Sequence, residues 1–182
     1  MADLVIAAWP PEMVRTARLV VREAEARDRD GFVELLASGK VRRYLGGARP
    51  RAEIEEAVPD VPGRRTGVFA VEAENGFIGA VSVNRRDRSR PGHVRPEGEE
   101  LEVSYTFLPE FWGRGYATEA VSAVLQWVAE VLPGEPVVLC TQSANERSVR
   151  LAGRLGFVEV ERFTEFEAEQ WFGVRDLDPT LA

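Results

Sequence analysis

Three reactive residue types are nearly missing from this chain, which has one cysteine, one histidine and, among 23 basic residues, a single lysine, Lys40. A lone cysteine excludes an internal disulfide framework, and the place of Cys140 in the short apolar run 136–140 reads as packing. With its only lysine at position 40, the chain has no Gly-x-x-x-x-Gly-Lys-Ser/Thr phosphate loop. Long hydrophobic runs are also lacking. The apolar stretch 4–8 has no positively charged segment before it and is broken by Pro10 and Pro11, so it is expected to be neither a signal peptide nor a membrane span. The expectation is a cytoplasmic protein without a membrane partner. No repeat, low-complexity tract or linker interrupts the chain.

What is present suits one globular domain over residues 1–182, with 1–15 as an amino-terminal arm: 45% of the residues are hydrophobic and 29% charged. A formal charge of −7 disfavours a nonspecific grip on nucleic acid and suits a partner carrying positive charge. Residues 85–95 run against that balance, with Arg85, Arg86, Arg88, Arg90 and Arg95 around the sole histidine, His93. No aromatic residues interleave them, and Glu97, Glu99 and Glu100 follow. The segment therefore reads as a solvated connection between strands, and His93 receives no catalytic role.

The strongest local signal lies between residues 101 and 140. Leu101, Val103, Tyr105 and Phe107 alternate with Glu102, Ser104 and Thr106, the pattern of a half-buried strand, which Pro109 ends. Trp112, Gly113, Arg114, Gly115, Tyr116, Ala117 and Thr118 follow, and then apolar residues recur at Val121, Val124, Leu125, Val128, Val131 and Leu132, the spacing of one helix face. After the Pro133-Gly134 turn comes the second apolar strand. Strand, glycine turn, helix and strand make a βαβ unit. The unpaired N–H groups and positive dipole end of a helix that starts at two glycines suit a bound diphosphate. A dinucleotide fingerprint would need a third glycine at position 118, where Thr118 stands.

Elsewhere the periodicity predicts a strand at 18–22 and a helix capped by Asp28 or Asp30 with Phe32, Leu35 and Leu36 on its apolar face. A short helix carrying Ile54, Ala57 and Val58 on one side should end at Pro59, and strands 67–71 and 77–83 should form a hairpin about Glu74-Asn75-Gly76. Asn145 to Leu151 opens a helix that stops at Gly156. Late strands are expected at 158–161 and 171–174, completing a mixed sheet flanked by helices.

Glu102-Val103-Ser104-Tyr105, Pro109, the segment from Trp112 to Ala120, Asn145, Ser148 and Leu155-Gly156-Phe157, in that order, resemble the Gcn5-related N-acetyltransferases. Thr16-Ala17-Arg18-Leu19-Val20-Val21-Arg22, followed by Asp28 and a helix, is similar to the start of their ribosomal-protein N-terminal acetyltransferase branch, and the likeness runs from about Thr16 to about Asp178. Trp112 stands where the wider superfamily commonly has Gln or Arg, and is the usual residue of that branch. Ala152 occupies the position of a tyrosine that many members carry seven residues after the asparagine.

The resemblance implies an α/β, GNAT-like fold, a central mixed but mostly antiparallel sheet of about six to seven strands flanked by helices. It further implies acetyl-CoA as co-substrate, no metal, and transfer of the acetyl group to a primary amine by direct attack in a ternary complex. The acceptor would be a peptide N-terminus or a small-molecule amine, and the protein a monomer or homodimer. Residues 112–118 would hold the diphosphate, the backbone of Phe107 and Leu108 the pantetheine arm, Asn145 a pantetheine amide, and Ser148 would protonate the leaving thiolate in place of the missing tyrosine. A helix cap at Asn145 and a first-turn position for Ser148 are the structural alternatives.

An amine must be neutral to attack. At pH 7 a lysine-like amine with pKa ~10.4 is about 0.1% neutral or less, whereas an α-amine at ~7.7–8.0 is roughly a tenth to a sixth neutral. Glu102 is the candidate general base, acting through a water. From the residues alone it could equally face solvent or pair with an arginine. A non-catalytic acyl-CoA sensor is the alternative to an enzyme.

Overall fold

The computed structural model describes residues 9, 12–62, 65–74 and 76–177; the apolar stretch 4–8, Pro10, Pro11, Asn75 and Asp178 lie outside the described residues. Among the described residues eight strands and four α-helices follow one another as β1 (Val14–Arg15), β2 (Val20–Glu23), α1 (Arg29–Ala37), α2 (Arg51–Ala57), β3 (Val68–Ala73), β4 (Gly76–Arg85), β5 (Leu101–Phe107), α3 (Tyr116–Val131), β6 (Pro136–Gln142), α4 (Glu146–Arg154), β7 (Val158–Glu165) and β8 (Ala168–Asp176). The strands form one sheet in the order β1-β2-β3-β4-β5-β6-β8-β7. β5 and β6 pair in parallel, as the βαβ reading requires, at Leu101 with Val137 and Glu102 with Val138. The other ladders with a defined register are antiparallel.

Eight strands replace the expected six to seven. The extra one is β1, a two-residue strand too short to leave an alternation in the sequence. The strand expected at 18–22 begins at Val20 instead, because Thr16 to Leu19 make a tight turn. There the Thr16 amide donates to the Leu19 carbonyl at 3.0 Å, and the Leu19 amide donates to the Thr16 hydroxyl, also at 3.0 Å. Ala57, expected on the apolar face of α2, is exposed, whereas Ile54 and Val58 are buried.

The described residues group into two compact units, one of residues 9–82 with 105–124 and the other of 83–104 with 125–177. The first has its core where α1 and α2 bring Phe32, Val33, Leu35, Ile54 and Val58 against Ala70, Ala80 and Leu108. Of the two expected caps, Asp28 stands at the N-cap of α1 without a side-chain cap bond, and Asp30 lies within the first turn. The Asp28 carboxylate instead accepts two hydrogen bonds from Arg22, at 2.8 and 2.9 Å, and one from the Glu25 amide at 2.7 Å. Arg22 and Asp28 are both buried, and Glu72 also pairs with Arg22. Lys40 lies exposed just before the single helical turn Val41–Tyr44.

Burial by itself pushes the Asp28 carboxyl up, but the Arg22 and Glu25 hydrogen bonds and the Arg22 charge outweigh it and hold the group below the usual carboxylate range. The unfolded chain, with an aspartate near pKa ~3.9, therefore binds the proton more readily. The contribution of this group to stability is complete above pH ~4 and is lost as the pH falls through the folded value. Asp28→Asn should lower stability at pH 7 and flatten its decline between pH 5 and 3 in urea titrations. An unchanged acid slope would contradict this account.

The second unit corrects the reading of residues 85–95 as solvated. Arg86 is fully buried, donating from Nε to the Gly92 carbonyl at 2.7 Å and from Nη2 to the Pro91 carbonyl at 2.5 Å, with its guanidinium over the Phe172 ring. Glu100, equally buried, accepts the amides of Val94 and Arg95, each at 2.7 Å, and pairs with His93 Nδ1 at 2.9 Å. Arg85 is joined to Glu135 and Arg90 to Glu165. The basic loop is a folded element because the carboxylates of Glu99, Glu102, Glu135 and Glu165 meet its arginines. His93 is held against Glu100 through Nδ1.

Candidate active site

In the first unit the glycine turn has the conformation an anion site needs. Gly113 and Gly115 sit at φ 77° and 81°, in the left-handed region that side chains disfavour. Residues 112–115 are exposed, and α3 starts at Tyr116. Ala120, Val121, Val124, Leu125 and Val128 are buried, so the apolar stripe read from the sequence fixes the helix in place; Val131 and Leu132 are only half-buried. Trp112 ties the turn to the strand before it, its indole N–H donating to the Phe107 carbonyl at 2.7 Å. The Leu108 amide donates to the Ile78 carbonyl at 3.0 Å. Two of the main-chain groups at 107–108 are thus already engaged within the protein.

Sequence reasoning missed what holds the far side of the turn. Arg18 donates from Nη1 to the Arg114 carbonyl at 2.9 Å and from Nε to Glu119 at 2.8 Å, and its guanidinium lies 4.6 Å from the centre of the Tyr116 ring. Glu119 also accepts the Thr16 hydroxyl at 2.5 Å and the Arg18 amide at 3.0 Å. Burial pushes the Glu119 carboxyl up, but the bonds from Thr16 and Arg18 more than reverse this and hold it below the ordinary range. The only sequence signal was the presence of Thr16, Arg18 and Glu119 within the resembling motifs.

Glu102, Asn145 and Ser148 belong to the second unit. Of the two positions open to Glu102, the structure has the arginine pairing: Oε1 meets Arg86 Nη1 at 2.5 Å and Oε2 meets Arg90 Nη1 at 3.3 Å. Arg90 in turn clasps Glu165 with two bonds, of 3.0 and 2.8 Å. Four charged side chains, two of each sign, therefore form one network. Cys140 lies in its field. Burial pushes its thiol up, with Arg86 opposing, which keeps the sulfur protonated and a poor nucleophile.

Asn145 caps α4, its side-chain oxygen accepting the Ser148 amide at 3.4 Å, while its amide nitrogen lies 3.5 Å from the Thr141 hydroxyl. Ser148, Leu151 and Ala152 form the buried stripe of α4, and Leu155 just beyond it is buried too. Ala152 is fully buried, so the position where many relatives carry a tyrosine holds a core methyl group here.

Residues 18–158, which include this strand, glycine turn and helix, match the acetyltransferase (GNAT) domain family. The chain belongs to that family and is an acetyl-CoA-dependent acyltransferase. An uncharacterised N-acetyltransferase of Bacillus subtilis, YoaA, is 24% identical over 157 residues, covering 80% of this chain and 82% of its own. Among solved structures, a GNAT-family acetyltransferase from Bacillus anthracis superposes with TM-score 0.74 at 18% identity, covering 91% of this chain and 98% of that one. The Vibrio cholerae spermidine N-acetyltransferase, solved with CoA and spermine, gives 0.69 at 19% identity, with 92% and 100% covered. RimL, a ribosomal L7/L12 N-terminal acetyltransferase solved with CoA, gives 0.69 at 16%, with 92% and 99% covered. No helix among the described residues is long and apolar enough to cross a membrane.

Proposed function

We propose that this protein is an N-acetyltransferase moving the acetyl group of acetyl-CoA directly to a primary amine, the acceptor being a peptide N-terminus or a small-molecule amine. The observation that carries this reading is the exposed turn at the head of α3, where two glycines at positive φ precede a helix whose first N–H groups have no intrahelical partner. Amides from Gly113 to Thr118 would hold the diphosphate. CoA in the neighbouring spermidine acetyltransferase and RimL structures supports the same co-substrate here. Those two neighbours act on a polyamine and a protein, and with equal TM-scores they do not choose an acceptor. Trp112 and the Thr16-to-Arg22 segment favour the ribosomal-protein branch. The family match spans residues of both compact units, which supports reading them as a single acetyltransferase domain.

Direct attack is supported by the protonated thiol of Cys140, which disfavours an acetyl-cysteine intermediate. Glu102 would take the amine proton through a water. A carboxylate offers about four lone-pair positions, and the two arginine contacts leave others for that water. As the amine nitrogen bonds to the thioester carbon, a β5 amide would bind the developing oxyanion. The C–S bond would then break as Ser148 donates a proton to the thiolate of CoA and regains one from water, which takes up the proton held by Glu102, with Asn145 holding the pantetheine arm.

The test is release of free CoA thiol from acetyl-CoA when the protein is offered peptides with free N-termini and a panel of small amines, with mass spectrometry of the acceptors. Acetylated acceptor and stoichiometric thiol are expected. Tight binding of acetyl-CoA without transfer to any amine would instead make the protein an acyl-CoA sensor, a reading to which the buried methyl of Ala152 lends weight.

A further inference from the structure

We propose that Arg18 is a positioning residue for acetyl-CoA, keeping the diphosphate turn in its binding shape and cancelling the one negative charge in the first turn of α3. This inference rests on the assignment of that turn to the diphosphate. A carboxylate in the first turn ordinarily stabilises a helix by facing its positive end. At a helix start that must receive a dianion, the same carboxylate competes with the ligand. Glu119 is that carboxylate, and it is the only acidic residue in the first turn of α3.

Arg18 answers both needs with one planar group. Its Nε and Nη2 grip Glu119, the latter at 2.6 Å, and its Nη1 takes the Arg114 carbonyl from between the two glycines. Fixing that carbonyl inward sets the orientation of the peptide that joins Arg114 to Gly115, and so the direction of the Gly115 amide. The guanidinium also packs against Gly115: a Cβ added there would lie 3.3 Å from Arg18 Nη2, so a side chain at 115 would press on the arginine as well as strain the backbone. Thr16 holds the other side of Glu119, and Arg18 lies on the tight turn that delays β2 to Val20. A lysine has the charge but lacks the fork that meets a carboxylate and a carbonyl together.

The experiment measures acetyl-CoA affinity by calorimetry and steady-state kinetics for the wild type, Arg18→Ala, Arg18→Lys and Arg18→Ala/Glu119→Gln, with S-acetylpantetheine, which has no diphosphate, as the second acyl donor. Arg18→Ala should raise Kd and KM for acetyl-CoA roughly tenfold, the scale of one charge-assisted contact, and leave kcat at saturation within about twofold. The defect should shrink as salt screens the carboxylate that loses its arginine, and Glu119→Gln added to Arg18→Ala should recover part of the affinity. Arg18→Lys should fall between, which keeps the test open if the alanine variant folds poorly. Turnover of S-acetylpantetheine should be the same in wild type and variants.

An Arg18→Ala protein with wild-type affinity for acetyl-CoA, or one that loses the two donors equally, would overturn the proposal. So would a double variant no better than the single one. A wild-type protein that does not bind acetyl-CoA would refute the assignment of the turn itself, and this inference with it.

Discussion

Arg86→Ala should cost about 3–5 kcal/mol of folding stability, the usual penalty for removing one member of a buried, hydrogen-bonded ion pair. For a chain of this size that corresponds to a fall in Tm of roughly 10 °C. The guanidinium is completely enclosed, and its loss leaves the carbonyls of Pro91 and Gly92 without their donor, Glu102 without its closer cation and the Phe172 ring without the group packed over it. Arg86→Lys should fall between the two, because an ammonium keeps the charge but cannot reach three acceptors from one plane. Thermal melts of the three proteins read this directly. An alanine variant melting within a degree of the wild type would mean that the loop does not depend on Arg86.

Glu102→Gln carries the second large effect. If its carboxylate relays the proton, kcat should fall by roughly 10²-fold or more near pH 7, while acetyl-CoA affinity changes little. The loss should shrink at higher pH, where more of the acceptor amine is already neutral. The same substitution weakens two ion pairs, so some loss of Tm accompanies it. A purely structural Glu102 would lower the melting point yet leave the turnover of the folded enzyme and its pH profile as they were. That pair of outcomes removes the residue from the chemistry.

The strand–turn–helix–strand path through residues 101–142 was legible because each part obeys a local rule. Alternation marks β5, glycines mark the turn and a stripe from Val121 to Val128 marks α3. Helix α4 was equally readable, with Asn145 at its cap and Gly156 just past its end. The charged architecture was not. Arg18 and Glu119 are 101 residues apart, and Arg90 and Glu165 are 75 apart. No periodicity within either segment names the partner, because the pairing follows from how distant turns, loops, helices and strands fold together. For the same reason residues 85–95 looked like a solvated loop, since an arginine bound for the interior has the same local spelling as one bound for water. β7 was expected at 158–161 but continues to Glu165, because as a largely exposed strand at the sheet margin it lacks the one-sided burial that alternation detects.

The exposed residue that precedes the Val41–Tyr44 turn gives the enzyme an unusual experimental convenience. Because Lys40 is the only lysine, acyl groups that reach the protein's own side-chain amines can accumulate at just one address. A single tryptic peptide thus reports all self-modification of that kind, and Lys40→Arg would give a catalyst with a blank background against which every labelled lysine belongs to a substrate.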